Sequence, residues 1–124
     1  MDLHINDDKT LDDVAAEFAD AFPFLRLSFY SEPHENRGGS LDKYALGGHL
    51  KIGAVRTSVN NGDLHIHGNM HVSTLENAFR VTYGLYVQVF RKSGDVWLQT
   101  TATDEWSLSK QNAVAMEMDR KVEG

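Results

Sequence analysis

A segment of this chain occurs twice. Leu3-His4-Ile5 returns as Leu64-His65-Ile66, sixty-one residues on, and the same offset carries Leu11 onto Val72, Val14 onto Leu75, Phe18 onto Phe79 and Phe22 onto Tyr83. With one residue deleted, Leu25, Leu27 and Phe29 align with Leu85, Val87 and Val89. Each copy reads as strand, amphipathic helix, strand. Alternating apolar residues mark the strands, and apolar steps of three and four mark the helices. Whatever fold the chain adopts must accommodate this unit twice.

The first helix is predicted from Thr10, whose spacing to Asp13 is that of a capping box, to Pro23, which cannot continue a helix. In the second unit Ser73 and Glu76 offer a capping box, although the repeat puts the cap nearer His71, and Gly84 is suited to a left-handed C-cap. Leu85 to Lys92, the turn at Ser93-Gly94 and Val96 to Thr101 predict a hairpin. Leu108, Ala115, Met118 and Val122 predict a last amphipathic helix from about Ser107 to Lys121. Between the copies, Ser40 is placed to cap a short turn through Leu46, Leu50 to Val59 reads as strand or helical turn, and Asn61-Gly62 is suited to a tight hairpin.

These elements predict one α+β domain over residues 1–124, with an internal repeat at 3–30 and 64–91 and an insert at 31–62. The fold expected is a ferredoxin-like two-layer sandwich of two βαβ units, with an added C-terminal edge strand and helix. A β-grasp is the alternative if the Leu50 segment pairs differently. The length allows one core and not two.

Strand alternation assigns Leu3, Ile5, Leu25, Leu27, Phe29, Leu64, Ile66, Leu85, Val87, Val89, Val96 and Leu98 to the helix-covered face. The other face would carry His4, Arg26, Ser28, Tyr30, His65, His67, Tyr86, Gln88, Phe90, Trp97 and Gln99. It is too aromatic for plain solvated sheet and too polar for core. Such a mixture suits an interface or a ligand platform, and His4, Tyr30, His65, His67, Tyr86, Phe90 and Trp97 form the expected binding surface. Either a partner or the last helix would cover it.

The central pair of a ferredoxin-like sheet would set His4 beside His65, with His67 one pleat along. Imidazole is a common zinc, copper or nickel ligand, so His4, His65 and His67 are the candidate metal ligands, with His71 as alternate. No defined metal motif is present. Asp104-Glu105 reads as the start of a helix rather than a catalytic pair. The glycine pairs lack a phosphate-loop pattern, Ser31, Ser40 and Ser58 lack a nucleophile-elbow context, and Met116 and Met118 belong to a packing face.

The formal charge is -6, and Asp2, Asp7, Asp8, Asp12, Asp13, Glu17 and Asp20 face one base, Lys9, in the first twenty residues. No basic stripe suited to nucleic acid is visible. There is neither an apolar run of membrane-spanning length nor an h-region of a secretory signal. With no cysteine there is no disulfide framework, and the cytoplasm is the expected compartment.

The stretch Val87-Gln88-Val89-Phe90-Arg91-Lys92-Ser93-Gly94-Asp95-Val96-Trp97-Leu98-Gln99-Thr100-Thr101-Ala102-Thr103-Asp104-Glu105-Trp106 resembles a small family of bacterial conserved hypothetical proteins, and the likeness extends from Leu3 to Asn112. That resemblance implies a bacterial, intracellular origin and carries no catalytic residues. The function expected is a non-enzymatic protein-binding or assembly module, a homo-oligomer or one with an unidentified protein partner. The alternative is a small-molecule or metal-binding protein, an enzyme included, built on the histidines.

Overall fold

The computed structural model describes residues 2–32, 42–57 and 62–123. Its elements are β1 (Asp2–Ile5), α1 (Leu11–Ala21), β2 (Leu25–Tyr30), α2 (Ile52–Val55), β3 (Gly62–His65), α3 (Val72–Tyr83), β4 (Tyr86–Ser93), β5 (Val96–Gln99) and α4 (Leu108–Glu123), with 3-10 turns at Asp42–Tyr44 and Thr101–Thr103.

Local chemistry accounts for the boundaries. The Thr10 hydroxyl accepts from the Asp13 N–H at 3.1 Å, and the Asp13 carboxylate accepts from the Thr10 N–H at 3.0 Å, closing the capping box. Those bonds, the backbone one first, hold the Asp13 carboxyl below its ordinary value. α3 ends on Gly84 at φ 65, and Gly94 at φ 61 makes the tight turn between β4 and β5, both left-handed positions that favour glycine. The ambiguous Leu50 segment forms the short helix α2. The expected Ser40 cap, and Asn61 of the expected hairpin, lie outside the described residues.

The molecule is an α+β two-layer sandwich. α1 and α3 lay Leu11, Val14 and Phe18, and Val72, Leu75, Phe79 and Tyr83, against Leu25, Leu27, Phe29, Leu85, Val87 and Val89 in one buried cluster. Phe29 meets Phe79 edge to face at 5.8 Å. β1 pairs antiparallel with β3, as the central strands of a ferredoxin-like sheet would. The strand order otherwise departs from that template: β2 pairs directly with β4, giving a separate antiparallel sheet β2–β4–β5. The six-residue register from Leu25↔Arg91 to Tyr30↔Tyr86 sets Leu27 opposite Val89 and Phe29 opposite Val87. Cross-strand apolar pairs of this kind stabilise a direct pairing.

The repeat runs further than strand–helix–strand. The Leu11 and Asp12 N–H groups donate to Leu50 O and Gly48 O (2.9 and 3.0 Å), while those of Ile52 and Gly53 donate to Lys9 O and Asp7 O (2.8 and 3.1 Å). In the second half, Val72 and Ser73 donate to Trp106 O and Asp104 O (3.0 and 2.9 Å), and Leu108 and Ser109 to Met70 O and Gly68 O (2.9 and 2.8 Å). The four bonds correspond one to one. In each half, two helices satisfy their first N–H groups on the loop that precedes the other helix. His71 therefore caps α3 without any side-chain bond, and the expected Ser73–Glu76 box is not the N-terminus of that helix. α2 thus occupies the place in the first half that α4 occupies in the second, and residues 48–53 of the expected insert follow the same bonding pattern as 104–109. Two helix N-termini converge at each junction, which accounts for the acids at Asp7, Asp8, Asp12 and Asp13 and at Asp104 and Glu105.

The two halves are related by a pseudo-two-fold axis. Leu3 faces its own repeat equivalent Leu64 in the first sheet, and Ser28 faces its equivalent Gln88 in the second. Both strand pairs thus straddle one dyad, as identical strands do in a symmetric dimer.

One close approach is handled in opposite ways by the two halves. A side chain on Gly53 would meet Asp7 Cβ at 2.8 Å, Asp7 Cγ at 3.0 Å and Asp7 O at 3.2 Å; at the equivalent contact the glycine is Gly68, and Ser109 carries the side chain. Gly53 leaves room for the Asp7 side chain and backbone, and Gly68 for the Ser109 hydroxyl. Alanine in place of a helical glycine ordinarily stabilises by about 0.5–1 kcal/mol. For Gly53→Ala we expect the opposite sign, a loss of about 1–3 kcal/mol from overpacking, read by denaturant unfolding.

Candidate functional site

The predicted surface residues divide between the two sheets. Tyr30, Phe90 and Trp97 come together with Arg26, Ser28 and Asp42 around a depression of about 200 Å3 on the outer face of β2–β4–β5. The register explains the grouping: Arg26 lies opposite Phe90, and Trp97 opposite Lys92 two positions on, so Arg26, Phe90 and Trp97 share one side, while the Lys92 ammonium bends back to Asp119 of α4 at 3.3 Å. Tyr86, opposite Tyr30, is half-buried on the same face but does not line the depression. Burial raises the Tyr30 phenol above its ordinary value; the nearby Asp42 charge adds to the shift and Arg26 opposes it. A second depression of about 140 Å3 adjoins the first through Arg26 and Ser28 and reaches Asp12, Ala15 and Gly48.

α4 does not cover this face. It packs where Arg91, Ser93 and Leu98 point, opposite to Phe90 and Trp97, and Trp106, Val114, Ala115 and Met118 complete a groove of about 150 Å3 there. The helix is anchored by polar groups the apolar pattern does not reveal. Buried Gln111 donates to Thr103 O and Thr103 Oγ1 (2.8 and 2.7 Å) and accepts from Arg91 at 3.4 Å. Asn112 accepts the Phe24 N–H at 2.9 Å. Two cations approach the Trp106 ring, Arg91 at 5.7 Å and Lys110 at 4.3 Å from its centre. Gln111 stands one turn after Leu108 and one before Ala115, where an apolar residue is expected. That break is the only trace of it in the sequence.

Val96 and Leu98, expected in the core, are 56% and 43% exposed, and Met118, expected on a packing face, is 51% exposed. Among the described strands β5 is at one edge of the sheet, where its side chains have a neighbouring strand on one side only. Conversely, Tyr30 and Gln88 on the outer face are buried, so that face is open chiefly at Arg26, Phe90 and Trp97.

The histidines are elsewhere. In the β1–β3 register His4 is opposite Asp63 and His65 opposite Asp2, so the two are diagonal rather than side by side. The difference arises because the dyad passes between Leu3 and Leu64. The side chain of His4 lies outside the described ones; His65 and His67 are exposed, His67 beyond the end of β3. His71 Nδ1 is 3.6 Å from a Glu105 carboxylate oxygen, both at the surface. Among the described residues no group of three or more histidine, aspartate or glutamate side chains could hold a metal ion. Among them, too, no helix is long and apolar enough to cross a membrane.

Compared with protein-family models, with curated proteins and with solved structures, the chain matches none.

Proposed function

We propose that this chain is a small non-enzymatic binding module that assembles with protein, another copy of itself foremost, through the outer face of the β2–β4–β5 sheet. One observation carries the reading: Phe90 and Trp97 share a depression on the face that α4 leaves uncovered. Aromatic walls with single charges at the rim match the make-up of an interface core and its border. The absence of cysteine is in keeping with a cytoplasmic setting.

Light scattering tests it. The wild type is expected to run above monomer mass at micromolar concentration, and Phe90→Lys, with an unchanged far-UV spectrum, to shift the mass towards monomer. A wild type that stays monomeric over that range overturns the reading. The histidine alternative is separable in the same preparation. A metal held only by the native state would raise the melting temperature, and a rise with zinc that vanished in the His65→Ala, His67→Ala double variant would restore that alternative. We expect the melting temperature to stay where it is.

A further inference from the structure

The large apolar side chains left exposed among the described residues are concentrated at one corner. Val96, Trp97 and Leu98 are consecutive on β5, 56%, 36% and 43% exposed, and Met118 lines the groove beside Leu98; Val81 on α3 is the exception. Among the described residues β5 is also an edge strand. Natural edges are kept very short or guarded by charge, proline, bulges or a covering element, because an unguarded one templates the addition of another strand; β5 is short, at four residues, and has none of the side-chain guards. Val96-Trp97-Leu98 carries neither lysine nor proline, and apolar side chains occupy both of its faces.

The geometry points to β5 as a self-pairing edge: we infer that two copies of this chain join β5 to β5 antiparallel, centred on Trp97, into one continuous six-stranded sheet. This rests on the reading of the chain as a self-assembling module and adds the strand edge that joins the copies and its register. The Thr100 N–H turns inward to Val89 O at 3.1 Å. Backbone groups alternate in direction along a strand, so those of Val96 and Leu98 also turn inward and those of Trp97 turn outward. A dyad at Trp97 lets the two Trp97 residues exchange their N–H and C=O bonds. It pairs each Val96 with the partner's Leu98 on the groove side and lays the two indoles side by side above the Phe90 depression. A chain of formal charge -6 repels its own copies, but this edge is neutral from Val96 to Thr103, and Asp95 would face Gln99 of the other copy, so no like charges oppose. The chain already uses this arrangement internally, where Ser28 meets Gln88 across the pseudo-dyad.

Cysteine cross-linking tests the register, since the native chain has no cysteine. Directly opposed antiparallel residues have Cα atoms about 5.5 Å apart, within disulfide range, whereas residues displaced by two positions do not. Under mild oxidation of the full chain, Trp97→Cys is expected to form a covalent dimer at least about tenfold faster than Val96→Cys. Leu98→Lys, with an unchanged far-UV spectrum, is expected to bring the mass by light scattering down to monomer. Equal cross-linking at 96 and 97, or an unchanged mass for Leu98→Lys, overturns edge pairing. If Phe90→Lys alone lowers the mass, edge pairing fails and the outer-face reading stands. A wild-type monomer sinks both.

Discussion

Truncating Phe18 or Phe79 to alanine is expected to cost about 3–5 kcal/mol in each case. Both rings are fully buried. Each also packs on the aromatic ring one turn later, Phe18 on Phe22 at 5.3 Å and Phe79 on Tyr83 at 6.0 Å, with similar tilts of 44° and 51°. Equivalent surroundings predict costs that agree to within about 1 kcal/mol, the scatter expected of context. Denaturant unfolding with matched slopes would measure both. A loss below about 1 kcal/mol at either site, the scale of a surface change, would mean that the pseudo-symmetry does not extend to the energetics.

Ile52→Ala is the second large effect. A helix of four residues has no stability of its own, so α2 exists because Ile52 is buried in the common core and because its first N–H groups reach Lys9 O and Asp7 O. Removing a buried isoleucine costs about 2–5 kcal/mol. Leu108, the equivalent residue at the head of a sixteen-residue helix, is equally buried and should cost the same. The distinguishing readout is local. In Ile52→Ala the amide protons of Leu11 and Asp12, which depend on Leu50 O and Gly48 O, should exchange faster, while those of Val72 and Ser73 keep their protection. Uniform loss across both pairs would mean that the junctions open together and not as separate units.

What the sequence reveals, and what it hides, follows from how many residues carry each signal. The strand–helix–strand repeat is legible because three or four large apolar residues mark each helix and strand alternation fixes each face. The third part of the repeat rests on a single apolar residue per half, Ile52 or Leu108, and loop lengths shift its offset from 61 to 56, so no one register shows it. The direct β2–β4 pairing is decided by cross-strand partners, on which a pattern read along one strand is silent. Tyr30, Phe90 and Trp97 are recognisable as one surface because period-two alternation is a local property. The relative placement of His4 and His65 is not legible, because their register depends on where the dyad falls. Arg26 and Ser28 were legible on that face, whereas Asp42 reaches the depression from a turn that no periodicity marks.

The reciprocal contact at Gly53 and Gly68 has a consequence for how such a chain can vary. In an assembly of two identical subunits a substitution strikes both copies at once, so equivalent contacts must be solved with the same residues in both. Here the halves are joined and the duplicate positions are free to diverge. One half keeps its side chain on the loop at Asp7 and the other on the helix at Ser109. The axis position likewise pairs unlike residues, Ser28 with Gln88. Each half can therefore relieve its own close contact independently of the other, and the encounter of the halves does not weaken on dilution.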